Sequence, residues 1–267
     1  MNLSIQIVGA SGAVKAGASG AGGVRLVYAA PYAEGDRILL SADRAGDVVA
    51  QLEDSLPETF GYLAGPFVLP VPFGEKRISY SPKQFAGEVH LLWAREAEPR
   101  TRESYRNLAL NPLDSHENEG LFPHAAANVE TRGESVFAAR NAVNGNTTSA
   151  GHGAWPYESW GINQRADAAL TVSFGRPVVV DKLVLTLRAD FPHDNWWTQA
   201  TVLFSDGTRL TPLFEKHGLP QAFAVPPRTV EWVTLCEMKK DETDPSPFPA
   251  LVQLECWGYV SPPRPRA

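Results

Sequence analysis

Asp-Lys-Leu-Val-Leu-Thr-Leu-Arg-Ala-Asp-Phe-Pro-His-Asp-Asn-Trp-Trp-Thr-Gln-Ala-Thr-Val-Leu-Phe-Ser, residues 181–205, sets the period on which the fold is read. Leu183, Leu185 and Leu187 alternate with polar or smaller residues, the period-two pattern of a half-buried strand. Thr198–Ser205 reads as a second strand. Between them stand the guanidinium of Arg188, the carboxylates of Asp190 and Asp194, the imidazole of His193, one amide, and the indoles of Trp196 and Trp197. Flat apolar faces beside directed donors and acceptors suit a sugar ring, which packs its C–H face on an aromatic and presents its hydroxyls to planar groups. The plainer alternative is that the indoles are core and the charges solvate a turn. Adjacent strand residues point to opposite faces, so at most one of the two indoles belongs to the core. A turn also needs far less chemistry than this loop holds.

Composition bounds what the chain can do. A length of 267 residues gives ample core for two modest domains or one large one. The formal net charge of −6 supplies no case for nucleic acid or an anionic membrane, because affinity for either rests on basic patches. No apolar run approaches the roughly 20 residues that span a bilayer. Ile5-Gln-Ile-Val-Gly9 has no basic residue before it and lacks the long apolar centre of a signal peptide, so a cytoplasmic location is expected. Cys236 and Cys256, in strand-like segments, read as two buried free thiols. Neither has a His or Cys at zinc-ligand spacing.

Helical periodicity is scarce, and short alternating runs punctuated by Gly and Pro argue for an all-β protein. In the first third, strands are expected at Leu3–Val8, Val24–Ala29, Arg37–Ser41, Asp47–Gln51, Pro66–Val71 and Val89–Ala94. They suggest a small β-sandwich-like domain over residues 1–97. The charged stretch Arg95–Arg102 marks the boundary. Gly9-Ala-Ser-Gly-Ala13 resembles a dinucleotide-binding turn, but that motif requires a helix next. Here the glycines continue through Gly23, so a mobile hairpin connector is expected instead.

From Tyr105 onward, short strands are expected at Leu170–Phe174, Lys182–Leu187, Thr198–Phe204, Arg209–Leu213, Ala222–Val225, Thr229–Leu235 and Ala250–Trp257. This is the spacing of a sandwich. Phe-Gly-Arg-Pro, Ser-Asp-Gly and Val-Pro-Pro supply turn chemistry at the joints. Several segments in order carry a family likeness: Asn107-Leu-Ala-Leu110, Ala139-Arg-Asn-Ala-Val-Asn-Gly-Asn146, Ser159-Trp-Gly161, Leu170–Leu183, Phe204-Ser-Asp-Gly207, Val230-Glu-Trp-Val233 and Leu254-Glu-Cys-Trp-Gly258. Residues 103–260 resemble the discoidin, or coagulation-factor type C, domain, whose bacterial members include the family 32 carbohydrate-binding modules. The resemblance implies a jelly-roll β-sandwich holding ligands in loops at one end, and places Trp160 in the core. It also implies a structural calcium held by Asn141, Asn144, Thr148 and Glu255. Two departures weaken that site: Asn144 stands where Asp is usual, and Gln253 where a second acid often stands. Calcium wants six to eight oxygens with carboxylates among them; without it, Asn144-Gly145 is a tight turn.

Three polar and aromatic segments, Phe122–Glu134, His152–Gln164 and Arg188–Trp197, exceed what a sandwich core can use. If their loops meet at one end, His124, Glu130, Arg132, His152, Trp155, Arg188, Asp190, His193, Asp194 and Trp196 line one ligand cleft. Each alone has a plainer role, Arg188 as an ion pair with Asp190 for example. The leading reading is a carbohydrate-binding protein. An acid–base enzyme, a lyase or isomerase on a uronate, is the alternative, with His193, Asp194 and Arg188 as its machinery. A third is an assembly or adaptor role, with homo-oligomers formed through a sheet edge of the N-terminal domain. The segment Val71–Phe85, aromatic and basic, reads as a loop that contacts a partner, closes over the sugar cleft, or simply lies on the surface.

Overall fold

The computed structural model describes residues 1–148, 155–189 and 194–260. Eight strands make the first unit: β1 (Asn2–Val8), β2 (Val14–Ala21), β3 (Gly23–Tyr28), β4 (Arg37–Ala42), β5 (Gly46–Gln51), β6 (Thr59–Leu63), β7 (Phe67–Pro70) and β8 (His90–Glu96). The remainder are β9 (Arg106–Asn107), β10 (Leu121–Phe122), β11 (His124–Ala127), β12 (Trp160–Gly161), β13 (Leu170–Arg188), β14 (Trp197–Phe204), β15 (Arg209–Leu210), β16 (Gln221–Lys240) and β17 (Ala250–Tyr259). The protein is all-β, with antiparallel pairing in every sheet.

Two sheets, ordered β2-β1-β4-β7 and β10-β6-β5-β8-β3, enclose the first core. Leu3, Ile5 and Ile7 of β1 point inward at period two and are at most 1 % exposed. Burying each such side chain stabilises the fold by about 1.5–3 kcal/mol. The Gly/Ala run is not the expected connector, for Val14–Ala21 forms an edge strand along β1. Its register comes from backbone hydrogen bonds, with Gly12 and Gly22 at positive φ making the turns at either end. Residues beyond Arg102 return to this unit: Leu121–Phe122 pairs with β6, and Leu113 and Leu121 enter the first core.

The second unit is one eight-stranded sheet, ordered β12-β17-β13-β16-β14-β15, with β9 on β17 and β11 on β13. It is built on two long strands, β13 of 19 residues and β16 of 20. Phe-Gly-Arg-Pro and Val-Pro-Pro do not turn the chain as expected. The strands run through them with register shifts between Ser173 and Val178 and between Val180 and Lys182, bulges that bend a strand without ending it. Gly175 sits at φ 68°, where a Cβ would lie 2.5 Å from the Phe122 ring. The first residues of β13 pair with β11 and its later ones with β17, while β16 accompanies it throughout. Trp160 and Trp197 fill the core, 0 % and 1 % exposed, with ring centroids 6.3 Å apart. Both cysteines are free; Cys256 is buried and Cys236 half-buried.

Candidate functional site

Arg188 closes β13, where the strand enters the loop singled out above. Its side chain is 5 % exposed and faces the fully buried Asp194, Nη2 to Oδ1 3.3 Å. Asp194 is thus a carboxylate partner of Arg188 among the described residues; Asp190, His193 and His152 lie outside the described residues. Arg188 Nη1 donates to the Tyr157 hydroxyl at 2.8 Å and Nη2 to the Phe248 carbonyl at 3.4 Å. The guanidinium also lies over the Tyr157 ring, 5.0 Å from its centroid. Burial, ahead of any charge, pushes the Tyr157 phenol up from its ordinary pKa, so it stays a neutral hydroxyl.

Asn195 staples the same loop in place. Its amide donates to the carbonyls of Asp241 and Ser246 at 3.0 and 2.6 Å, and its oxygen accepts the Trp196 N–H. Trp196 is half-buried, with its indole N–H donated to Asp241 Oδ2 at 3.1 Å. Trp197, at the start of β14, is in the core, while Trp196 just before the strand is half-buried and packs against the core's edge.

Beside Arg188 lies a pocket of about 240 Å³. Phe137, Tyr157, Ile162 and Phe248 give it apolar walls; Arg132, Arg188, Asn163 and Gln164 give it polar ones. Arg132, Asn163 and Gln164 have φ of 53°, 49° and 60°. Left-handed backbone at non-glycine residues is uncommon and costs of order 1 kcal/mol or more each, so three around one pocket mark a place where shape is held against strain. Thr131 Oγ accepts the Asn163 N–H at 2.9 Å and helps hold that turn. Arg132 makes a two-pronged ion pair with Glu134, at 2.6 and 2.8 Å. Neither guanidinium at the pocket is without a carboxylate.

Of the residues expected to line one cleft, the structure brings Arg132 and Arg188 to this pocket, with Asp194 behind Arg188. Glu130 turns to His116, both oxygens 2.8 Å from Nε2, and accepts the Ala139 N–H. His124 pairs across β11 with Ser173, at the far end of β13 from Arg188, and its Nδ1 is 2.8 Å from Asp114. Each carboxylate raises the pKa of its histidine. Trp155 is 40 % exposed, and its backbone N–H donates to Ile78 of the first unit. Val71–Phe85 thus holds a short 3-10 helix, Gly74–Ser79, docked on the second unit, with Glu75 also accepting the Ser135 N–H. The alternative acid–base machinery has Asp194 sealed at 0 % exposure, placed to balance Arg188. Sequence reasoning missed Phe137 and Phe248 as walls. Phe248 had a signal, prolines on both sides in Ser-Pro-Phe-Pro.

Of the expected calcium ligands, Asn141, Asn144 and Glu255 each have partners within the protein. Asn141 is fully buried, its amide donating to the carbonyls of Ser135 and Ser159 while its oxygen accepts from Arg140 Nη1 at 3.1 Å. A cation beside that oxygen opposes a second one. Glu255 is engaged by the Trp257 indole N–H. The carboxylate at the Asn144 segment is instead Glu158, which accepts from the amides of Asn144 and Asn146. Burial raises the pKa of this acid.

The sequence matches no protein-family model and no curated protein. Solved structures that resemble the chain are family 32, discoidin-like carbohydrate-binding modules and lectin domains. Chitosan-binding module 1 of a chitosanase/glucanase from Paenibacillus sp. IK-5 is 19 % identical, covers 57 % of this chain and 99 % of its own, and has a TM-score of 0.40. The family 32 module of C. perfringens NanJ, solved in complex with galactose, is 18 % identical over 50 % of this chain and 91 % of its own, TM-score 0.39. The lectin domain of lectinolysin, complexed with Lewis B antigen, is 18 % identical over 57 % of this chain and 95 % of its own, TM-score 0.38.

Proposed function

We propose that this chain is a carbohydrate-binding protein and that its saccharide site is the pocket beside Arg188. The observation that carries the reading is the coincidence at one place of three left-handed non-glycine residues, apolar ring walls and two guanidiniums. Rings take the C–H face of a sugar, and planar N–H groups take its hydroxyls. Arg132 and Arg188 are each matched by a carboxylate, so the pocket offers hydrogen-bond donors without excess charge and suits a neutral sugar. At about 240 Å³ it is smaller than pockets for drug-sized ligands, which run from about 300 Å³, and fits a single ring or the end of a chain. Affinity is modest, because hydroxyls exchange water for protein partners at small net gain.

Calorimetric titration with neutral monosaccharides tests this. Wild type binds at least one of them, and Phe248→Ala weakens that binding roughly tenfold, through the loss of about 1.4 kcal/mol of ring contact. Phe248 is 49 % exposed, so the substitution leaves the fold intact. An absence of binding to any sugar overturns the reading. Turnover of a sugar would put the acid–base alternative in its place.

A further inference from the structure

A cavity of about 540 Å³ lies at a different place: a cleft between the two units, walled by β6 on one side and β17 on the other. Phe60 and Tyr62 come from the first unit, Tyr105, Arg106, Gln253 and Trp257 from the second. The Tyr105 and Trp257 rings stack, centroids 5.7 Å apart and 29° between planes. The Trp257 indole N–H is already given to Glu255 at 2.6 Å, so its ring contributes a face and no free donor.

Two donors of residues lining this cleft have no acceptor among the described residues. Gln253 is 1 % exposed, and its Oε1 accepts the Gly145 N–H at 3.2 Å. That bond fixes which end of the amide is which. Its NH2 is left buried and unpartnered. Arg106 lies 4.0 Å above the Phe60 ring and spends Nη2 on Thr101 and Ser104, while its Nε is likewise buried without an acceptor. Among the described residues it has no carboxylate at ion-pair distance. Native proteins leave few buried donors unmet, and those that persist call for an explanation. Here both line the same cavity.

The charges around the cleft point away from an anion. Glu58 and Glu255 also line it, and Arg176 is taken up by Asp47. What remains is aromatic faces, unmet N–H donors and carboxylate acceptors, a set that matches a neutral polyhydroxylated ring, whose hydroxyls both accept and donate. We infer that the cleft between the units is a second saccharide site, with Gln253 and Arg106 donating to sugar oxygens and Trp257 with Tyr105 packing the C–H face. Nothing in this inference depends on the pocket beside Arg188.

The full chain, 15N-labelled, is titrated at millimolar concentration with glucose, galactose, mannose and N-acetylglucosamine, and separately with glucuronate. The signals to follow are the Gln253 side-chain amide, the Arg106 Nε–H and the Trp257 indole N–H. A neutral sugar shifts all three with one saturation curve, and does so equally in the Phe248→Ala protein, which separates this site from the other pocket. Trp257→Leu and Arg106→Lys each weaken the effect roughly tenfold, the scale of one lost contact. Should either variant misfold, the wild-type titration decides alone. The inference is overturned if no neutral sugar moves these signals. It is equally overturned if glucuronate alone moves them and added salt reverses the shift, or if Trp257→Leu leaves the curve unchanged.

Discussion

Asp194→Asn is the substitution whose outcome follows most directly from the geometry. It keeps the shape of the side chain and removes its charge, leaving Arg188 enclosed at 5 % exposure with one phenol and one carbonyl for partners. At 3.3 Å, with an effective dielectric of 20, the pair attraction is about 5 kcal/mol before desolvation is subtracted. Measured losses on breaking a buried pair by removing one member are about 3–5 kcal/mol. The two neutral hydrogen bonds that survive place the expectation near the lower end, about 3 kcal/mol. For a unit of this size that is a fall of roughly 6–12 °C in Tm. Removing both charges, in Arg188→Met with Asp194→Asn, relieves the stranded cation and recovers most of the loss. Urea unfolding of wild type, both singles and the double gives the cycle, with midpoints shifting at constant slope. A loss below about 1 kcal/mol for Asp194→Asn, or a double variant weaker than that single, would refute a desolvated, mutually dependent pair.

Three further outcomes are expected. The Asp114 hydrogen bond raises the His124 pKa above the ordinary 6.5, so its stabilisation is complete below that value and is lost as pH climbs through the higher folded value. Unfolding free energy of wild type should therefore fall over that window more steeply than that of His124→Gln; parallel curves would contradict the pairing. Melting should be unchanged, within about 2 °C, by calcium or by a chelator, because an ion that bound only the folded state would raise Tm; a larger calcium-dependent rise would return Asn141, Asn144, Thr148 and Glu255 to the role of ligands. Gly175→Ala should destabilise by more than about 1 kcal/mol, since its φ of 68° and the Phe122 ring both oppose a Cβ; a neutral result in thermal melting would mean the bulge is not held as described.

Side-chain period made much of the fold legible. Leu183, Leu185 and Leu187 are buried as expected, but Val184 and Thr186 between them are buried as well, so this stretch is covered on both faces and not half-buried; the Trp196–Trp197 pair divides between half-buried and core positions. Where side chains are silent, the sequence was silent too: β2 is almost entirely Ala, Gly and Ser, and only its backbone pairing with β1 makes it a strand. Gly-Arg-Pro and Pro-Pro looked like turns because local chemistry does not distinguish a turn from a bulge in a strand held on both sides. At the site, Arg188 was legible as a polar residue at a strand end. Its partners were not, because Tyr157 and Phe248 lie 31 and 60 residues away. Glu130 and Arg132 are near neighbours in sequence, yet one goes to His116 and the other to the pocket, since Arg132 and Gly133 both take left-handed backbone and redirect the chain.

The central claim, a neutral-sugar site walled by Phe137, Tyr157 and Phe248, is tested most directly by mapping backbone amide shifts of the 15N-labelled chain during titration with the tightest-binding neutral monosaccharide. The account predicts that Arg132, Gly161, Asn163 and Gln164, which line the pocket, shift together and saturably, and that the response survives high salt because both guanidiniums are already neutralised. Saturable sugar binding that leaves these four amides unmoved would contradict it.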